Sequence, residues 1–185
     1  MAKKAKRRVA AKAAANANTK VYSGVKKDPL DLRDLMYEGS LEELPLSLDN
    51  RPHVPFVLDQ RKEGACTGFG LAAVVNFLLH NHQDQSRHPP ESVSARMLYE
   101  MAKRYDEWEG QAYEGSSIRG AMKGWHKHGV CTDGLWKYYP SRPGDFEPAA
   151  QLDALRRPLG SYFRVRHLHL NQMHSAINEV GVLYA

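Results

Sequence analysis

Cysteine is scarce: two residues in 185, Cys66 and Cys131. Two thiols form one bridge at most, which excludes a disulfide scaffold and favours a reducing compartment. No apolar run reaches the roughly 18 residues that a spanning helix needs. The longest, Phe69 to Leu79, is interrupted by Gly70 and Asn76. With no convincing signal peptide either, the expected location is the cytoplasm. Metal and nucleotide motifs are missing as well. There is no CxxC, HExxH, GxGxxG or phosphate loop, so no metal or other cofactor is expected. Acid is missing from residues 1–27, which hold nine Lys and Arg. What remains, 42% hydrophobic and 25% charged residues, is ordinary globular material in a chain long enough to bury a core.

The net charge of +5 misleads, because past residue 27 the chain holds 17 basic and 21 acidic residues, a net of −4. The body is mildly acidic and the basicity is a tail. Lys, Arg, Ala and Asn cannot bury enough apolar area to offset their ordering entropy, so residues 1–27 are expected to be disordered. Their charge suits weak contact with nucleic acid or another acidic surface. A merely solubilising tail and a targeting segment share that composition.

Residues 28–59 are punctuated by Pro29, Pro45, Pro52 and Pro55 and should be extended or irregular, with Val54 to Leu58 as an edge strand. From Gly64 the pattern changes. Apolar residues fall on nearly every turn up to His80-Asn-His82, which predicts a buried helix of about four turns. A second helix is expected over Val93 to Tyr105, with Met97, Leu98 and Met101 inward. A third is expected from Ser116 to His128, with Ile118, Met122 and Trp125 at helical spacing and Gly129 as its cap. Residues 130–147 read as loop, Ala149 to Leu155 as a short helix, Tyr162 to Leu168 as a strand, 171–179 as helix and Val180 to Ala185 as a strand.

The chemistry gathers in Asp59-Gln-Arg-Lys-Glu-Gly-Ala-Cys66. Cys66 falls on the first turn of the apolar helix, where the helix dipole and free N–H groups favour a thiolate. Gly64 and Gly68 leave backbone space around the sulfur. Gln60 stands six residues earlier, before the turn. A thiolate, a backbone N–H and an amide donor can together attack a carbonyl and hold the resulting oxyanion. By residue type alone Cys66 reads equally as a small buried side chain. Tyr105, Trp108 and Tyr113, set among acids, read either as a groove lining or as a solvated acidic loop.

This segment resembles the papain family of cysteine peptidases. Of that family's C-G-[SA]-C-[WY] signature, Glu63-Gly64-Ala65-Cys66-Thr67 keeps the Gly, the Ala and the catalytic Cys. Leu44-Pro-Leu-Ser-Leu-Asp-Asn-Arg51 is similar to the family's mature start, and Val57-Leu-Asp-Gln60 to the segment that supplies its oxyanion-hole glutamine. Glu114-Gly115-Ser116-Ser117 is similar to the stretch that aligns extended substrate, and Trp136-Lys-Tyr138 to an aromatic turn. The resemblance implies an α+β, papain-like fold over residues 44–185, with a complete helical left domain and only the start of the β-rich right domain. Residues 28–43 would then be a linker or a short pro-like segment. It further implies that Cys66 and Gln60 are catalytic, that Gly115 and Ser116 bind substrate, and that Ile118 borders a hydrophobic pocket, with a peptide or protein as substrate.

Two departures are informative. Glu63 replaces a disulfide cysteine of secreted members. The general base is also absent at its usual distance, because the family's His and Asn lie about 130–150 residues after the nucleophile, beyond Ala185. His126, His128, His167, His169 and His174 fall elsewhere. The chain is therefore expected to be a truncated thiol peptidase with little activity of its own. The alternatives are a non-catalytic papain-like module that binds peptide, a nucleic-acid-associated protein acting through the tail, and a related acyl-transfer enzyme.

Overall fold

The computed structural model describes residues 28, 30–40, 43–82, 91–106, 115–166 and 168–185. The basic tail lies outside them, as do Trp108, Tyr113, Glu114 and His167. A single 3₁₀ turn at Arg51–His53 precedes five helices: α1 (Cys66–His82), α2 (Ala95–Arg104), α3 (Ile118–His128), α4 (Pro148–Ala154) and α5 (Leu170–Val180).

Helix α1 is apolar nearly all round, and a helix of that kind belongs inside. Leu71, Ala72 and Val75 are buried accordingly. Helix α2 is amphipathic and turns Met97, Leu98 and Met101 inward while Lys103 and Arg104 stay in solvent. It packs against both α1 and α3. Close approach at both seams rests on small residues. A methyl on Gly68 would sit 2.7 Å from the Ala95 carbonyl oxygen, and one on Gly124 would sit 2.6 Å from Cβ of Met101. The helix starts are fixed locally. Ser94 caps α2 by accepting from the Met97 N–H, and Ser117 caps α3 by accepting from the Gly120 N–H. Gly129 ends α3 at φ +70, a conformation that favours glycine. Val93, Val130, Cys131 and Trp136 complete the core around the three helices.

Among the described residues no regular strand forms; there are only isolated bridges. The three expected strands are therefore corrected. Val54 to Leu58 carries Pro55 and finds no ladder partner. Tyr162 to Leu168 contributes one parallel bridge, Met36 to Arg164, closed by Tyr37 N–H to the Arg164 carbonyl at 3.0 Å and Arg164 N–H to the Leu35 carbonyl at 2.7 Å. After α5 the chain turns at Gly181 and runs irregularly back towards α1.

The segment from Asp28 to Ser40 straps the helical body. Its centre is Arg119, at the start of α3, whose side chain is 8% exposed and pairs with Asp28 at 2.7 Å and with Asp34. Arg164 pairs with the same two carboxylates at 3.0 and 2.6 Å. Further along, the Tyr37 hydroxyl donates to Ser175 Oγ at 3.0 Å, and the Ser40 N–H to Glu179 at 3.0 Å. Hydrogen bonds from Arg119 and Arg164 hold the Asp34 carboxyl down to about 2, and the two carboxylates push the Arg119 guanidinium up.

Candidate active site

Cys66 is the first residue of α1 and its thiol is exposed and free. An apolar helix that must be buried thus presents its sulfur at the end where backbone N–H groups are unpaired. Cys131, by contrast, is fully buried, and burial pushes its thiol up to about 11.

The loop before Cys66 is a fixed turn. Asp59 Oδ1 accepts the Arg61 N–H at 2.7 Å, Arg61 adopts φ 56, and the Ala65 N–H donates to the Glu63 carbonyl at 2.8 Å. Tyr138 Oη donates to the Gln60 carbonyl at 2.8 Å. That bond holds the Gln60 backbone and leaves its side-chain amide free of protein partners among the described residues. Glu63 turns inward to Arg96, whose hydrogen bonds hold the Glu63 carboxyl down to about 2.

The structure brings the head of α3 to the head of α1. Thr67 Oγ1 and Ser116 Oγ share a hydrogen bond, so Ser116 stands beside the residue that follows Cys66. The Gly115 backbone lies against the Tyr99 hydroxyl, and the Tyr99 Cβ fills the space over Gly68. Ile118 is 40% exposed at the start of α3, between the cap Ser117 and the buried Arg119. Of the three apolar residues at helical spacing, Trp125 is buried, Met122 half-buried and Ile118 exposed.

Sequence reasoning missed two residues of this neighbourhood. Tyr184 donates its hydroxyl to the Thr67 carbonyl at 2.8 Å, and its ring edge lies 3.3 Å from where a methyl on Gly70 would be. Burial, then the nearby Cys66 sulfur, pushes the Tyr184 phenol up. Arg96 is the second, discussed below. Neither carries a local signal, because each acts on a partner far away in the chain.

No imidazole hydrogen-bonds the Cys66 sulfur among the described residues. His128 lies about 15 Å along α3 from Ile118. There its Nε2 shares a hydrogen bond with Tyr105 Oη at 2.7 Å, and burial holds its pKa down. His126 packs against Tyr162. No cluster of described His, Cys, Asp and Glu could hold a metal ion, and no described helix is long and apolar enough to cross a membrane.

The exposed thiol, the fixed turn before it and the helical body define a papain-like fold, seen here through its helical domain. The chain is similar to xylellain, a cysteine protease from Xylella fastidiosa, at TM-score 0.70 and 26% identity, covering 83% of this chain and 62% of that one. It is also similar in fold to digestive procathepsin L 3 of the Tenebrio molitor larval midgut, at TM-score 0.60 and 21% identity, covering 79% of this chain and 45% of that one. The chain thus spans less than two thirds of either protein. No family model matches it, and no curated protein does.

Proposed function

We propose that the chain carries the thiol-bearing half of a cysteine peptidase site, with a peptide or protein as substrate. The observation that supports this best is the exposed Cys66 heading a buried helix in a fold shared with xylellain. Cys66 attacks the peptide carbonyl carbon, a C–S bond forms, and the π pair moves to the oxygen. The Cys66 N–H and the Gln60 amide hold that oxyanion. Collapse expels the amine with a proton from a general acid, and water then releases the thioacyl enzyme. Gly115 and Ser116 align the substrate as an extended strand, and Ile118 borders a hydrophobic pocket. No described imidazole hydrogen-bonds the Cys66 sulfur, and under this reading residues 1–185 alone hydrolyse peptides slowly or not at all.

A peptidyl chloromethyl ketone tests the site. At neutral pH it should modify Cys66 about tenfold or more faster than it modifies free cysteine, and Cys66→Ala should abolish the labelling. Equal rates would overturn the reading. Robust turnover of an unstructured peptide, lost with Cys66→Ala, would sink the proposed low activity.

That Cys66 has no imidazole partner among the described residues favours a second reading, a papain-like module that binds peptide without cleaving it. Under that reading Cys66 alkylates like free cysteine, while a fluorescent peptide still binds and is released by Ile118→Asp.

A further inference from the structure

Arg96 carries a full charge into the core: its side chain is 0% exposed. Its Nη1 and Nη2 donate to the two Glu63 oxygens at 2.8 and 2.7 Å, a planar fork on a carboxylate. Nη1 also donates to Glu100 at 3.0 Å, and Nη2 to the Tyr139 carbonyl. The guanidinium lies 4.5 Å from the centre of the Tyr138 ring, the same residue whose hydroxyl holds the Gln60 carbonyl. Glu63 in turn accepts the Ser141 N–H at 3.2 Å. One buried cation therefore joins α2, the 138–141 segment and the loop that ends at Cys66.

This is an expensive way to fill space. A buried ion pair often stabilises less than apolar side chains of the same volume, and here Arg96 Nε is left buried without a partner. What the arrangement supplies is direction. The bidentate fork fixes both the position and the orientation of Glu63. Tyr138 fixes the first residue of the loop and Arg96 its middle, while the start of α1 fixes its end. The five residues between Gln60 and Cys66 lie outside any helix, and besides these anchors only the short turn bonds at Arg61 and Ala65 shape their path.

We infer that Arg96, Glu63 and Tyr138 are positioning residues that hold the Gln60 amide at its working distance from the Cys66 sulfur. The role rests on the reading of Gln60 as oxyanion donor and Cys66 as nucleophile. It separates two properties of the site. The nucleophilicity of Cys66 belongs to the helix terminus, whereas stabilisation of the oxyanion belongs to the loop and so to the buried pair.

Two reagents on the full chain separate them. A capped dipeptide aldehyde adds reversibly: the Cys66 thiolate bonds to the carbonyl carbon, the π pair moves to the oxygen, and that oxygen takes up a proton from water. Iodoacetamide instead loses iodide at a saturated carbon, with no oxyanion. Tyr138→Phe and Glu63→Gln should each weaken aldehyde binding about tenfold, while the iodoacetamide rate stays within about twofold. Adding Tyr138→Phe to Gln60→Ala should cost nothing beyond Gln60→Ala alone, since both act through one amide. Variants that lower the unfolding midpoint but leave aldehyde binding intact, or that slow both reagents equally, would overturn the positioning role. A wild-type chain that forms no adduct, or a Gln60→Ala variant that binds aldehyde normally, would overturn the underlying reading of the site, and the positioning role with it. If Glu63→Gln does not fold, Tyr138→Phe alone decides, because it removes one hydroxyl at a part-buried position.

Discussion

The Tyr184 hydroxyl donates to the carbonyl oxygen of Thr67 across 117 residues of chain and so ties the C-terminal segment to the residue after Cys66. Removing that hydroxyl leaves a carbonyl short of one donor at the head of α1. Tyr184→Phe should lower the free energy of unfolding by about 1 kcal/mol, the usual net worth of one such bond. Urea titration measures it, and an unchanged midpoint would mean that water replaces the phenol at no cost.

The two thiols should separate cleanly by accessibility. Cys66 is exposed, whereas Cys131 is fully buried with its thiol pushed up to about 11. Iodoacetamide at pH 8 should add to one site per native chain and to two in guanidinium, as read by intact mass and peptide mapping. Two adducts on the native chain would show that the core around Cys131 opens.

Acid should weaken the fold through its paired carboxylates. Hydrogen bonds from Arg96 hold the Glu63 carboxyl at about 2 in the folded chain against an unfolded value of 4.5. Asp34 is held at about 2 by Arg119, against 3.8. A carboxylate lowered on folding stabilises the native state at pH above its unfolded pKa, and that contribution is lost as pH falls towards the folded value. The denaturant midpoint should therefore lose the contribution of these two groups progressively between pH 4.5 and about 2. With Glu63→Gln that fall should be shallower, because one titrating group is gone.

Removing one partner of the buried pair should cost more than removing both. Arg96→Met leaves Glu63 facing the core uncompensated, an effect of about 3–5 kcal/mol. Glu100 keeps Lys103 at 2.9 Å and is less affected. Adding Glu63→Leu to Arg96→Met should recover much of that loss, as apolar replacement of a buried pair often does. The double variant should nevertheless still bind the peptide aldehyde weakly. Recovery of both stability and aldehyde binding would reduce the pair to packing.

The helices were legible because their signals are local. Apolar periodicity marks α1, α2 and α3 and Gly129 marks the end of α3, and the expected bounds of α2 and α3 fall within two residues of the observed ones. Cys66 at a helix start was legible for the same reason. The strands were not. Alternation says that a segment can pair but not that a partner lies beside it, and among the described residues of 162–168 the one backbone bridge is at Arg164. Arg96 was also unreadable, since a charged residue on a helix normally points to solvent. Here its burial depends on Glu63, 33 residues earlier.

The strap from Asp28 to Ser40 bears on how the domain assembles. Its contacts close very long loops: Arg164 to Asp34 spans 130 residues, Tyr37 to Ser175 spans 138, and Ser40 to Glu179 spans 139. Loop-closure entropy rises with such separations, and non-local pairings form late. The trio α1 to α3 should therefore condense first and the strap dock last, and Asp34→Asn should speed unfolding while leaving the folding rate nearly unchanged in stopped-flow measurements. Interactions absent from the folding transition state act on the unfolding rate and barely on the folding rate. On that expectation the clasp around Arg119 acts as a brake, lengthening the lifetime of the finished domain without hastening its formation.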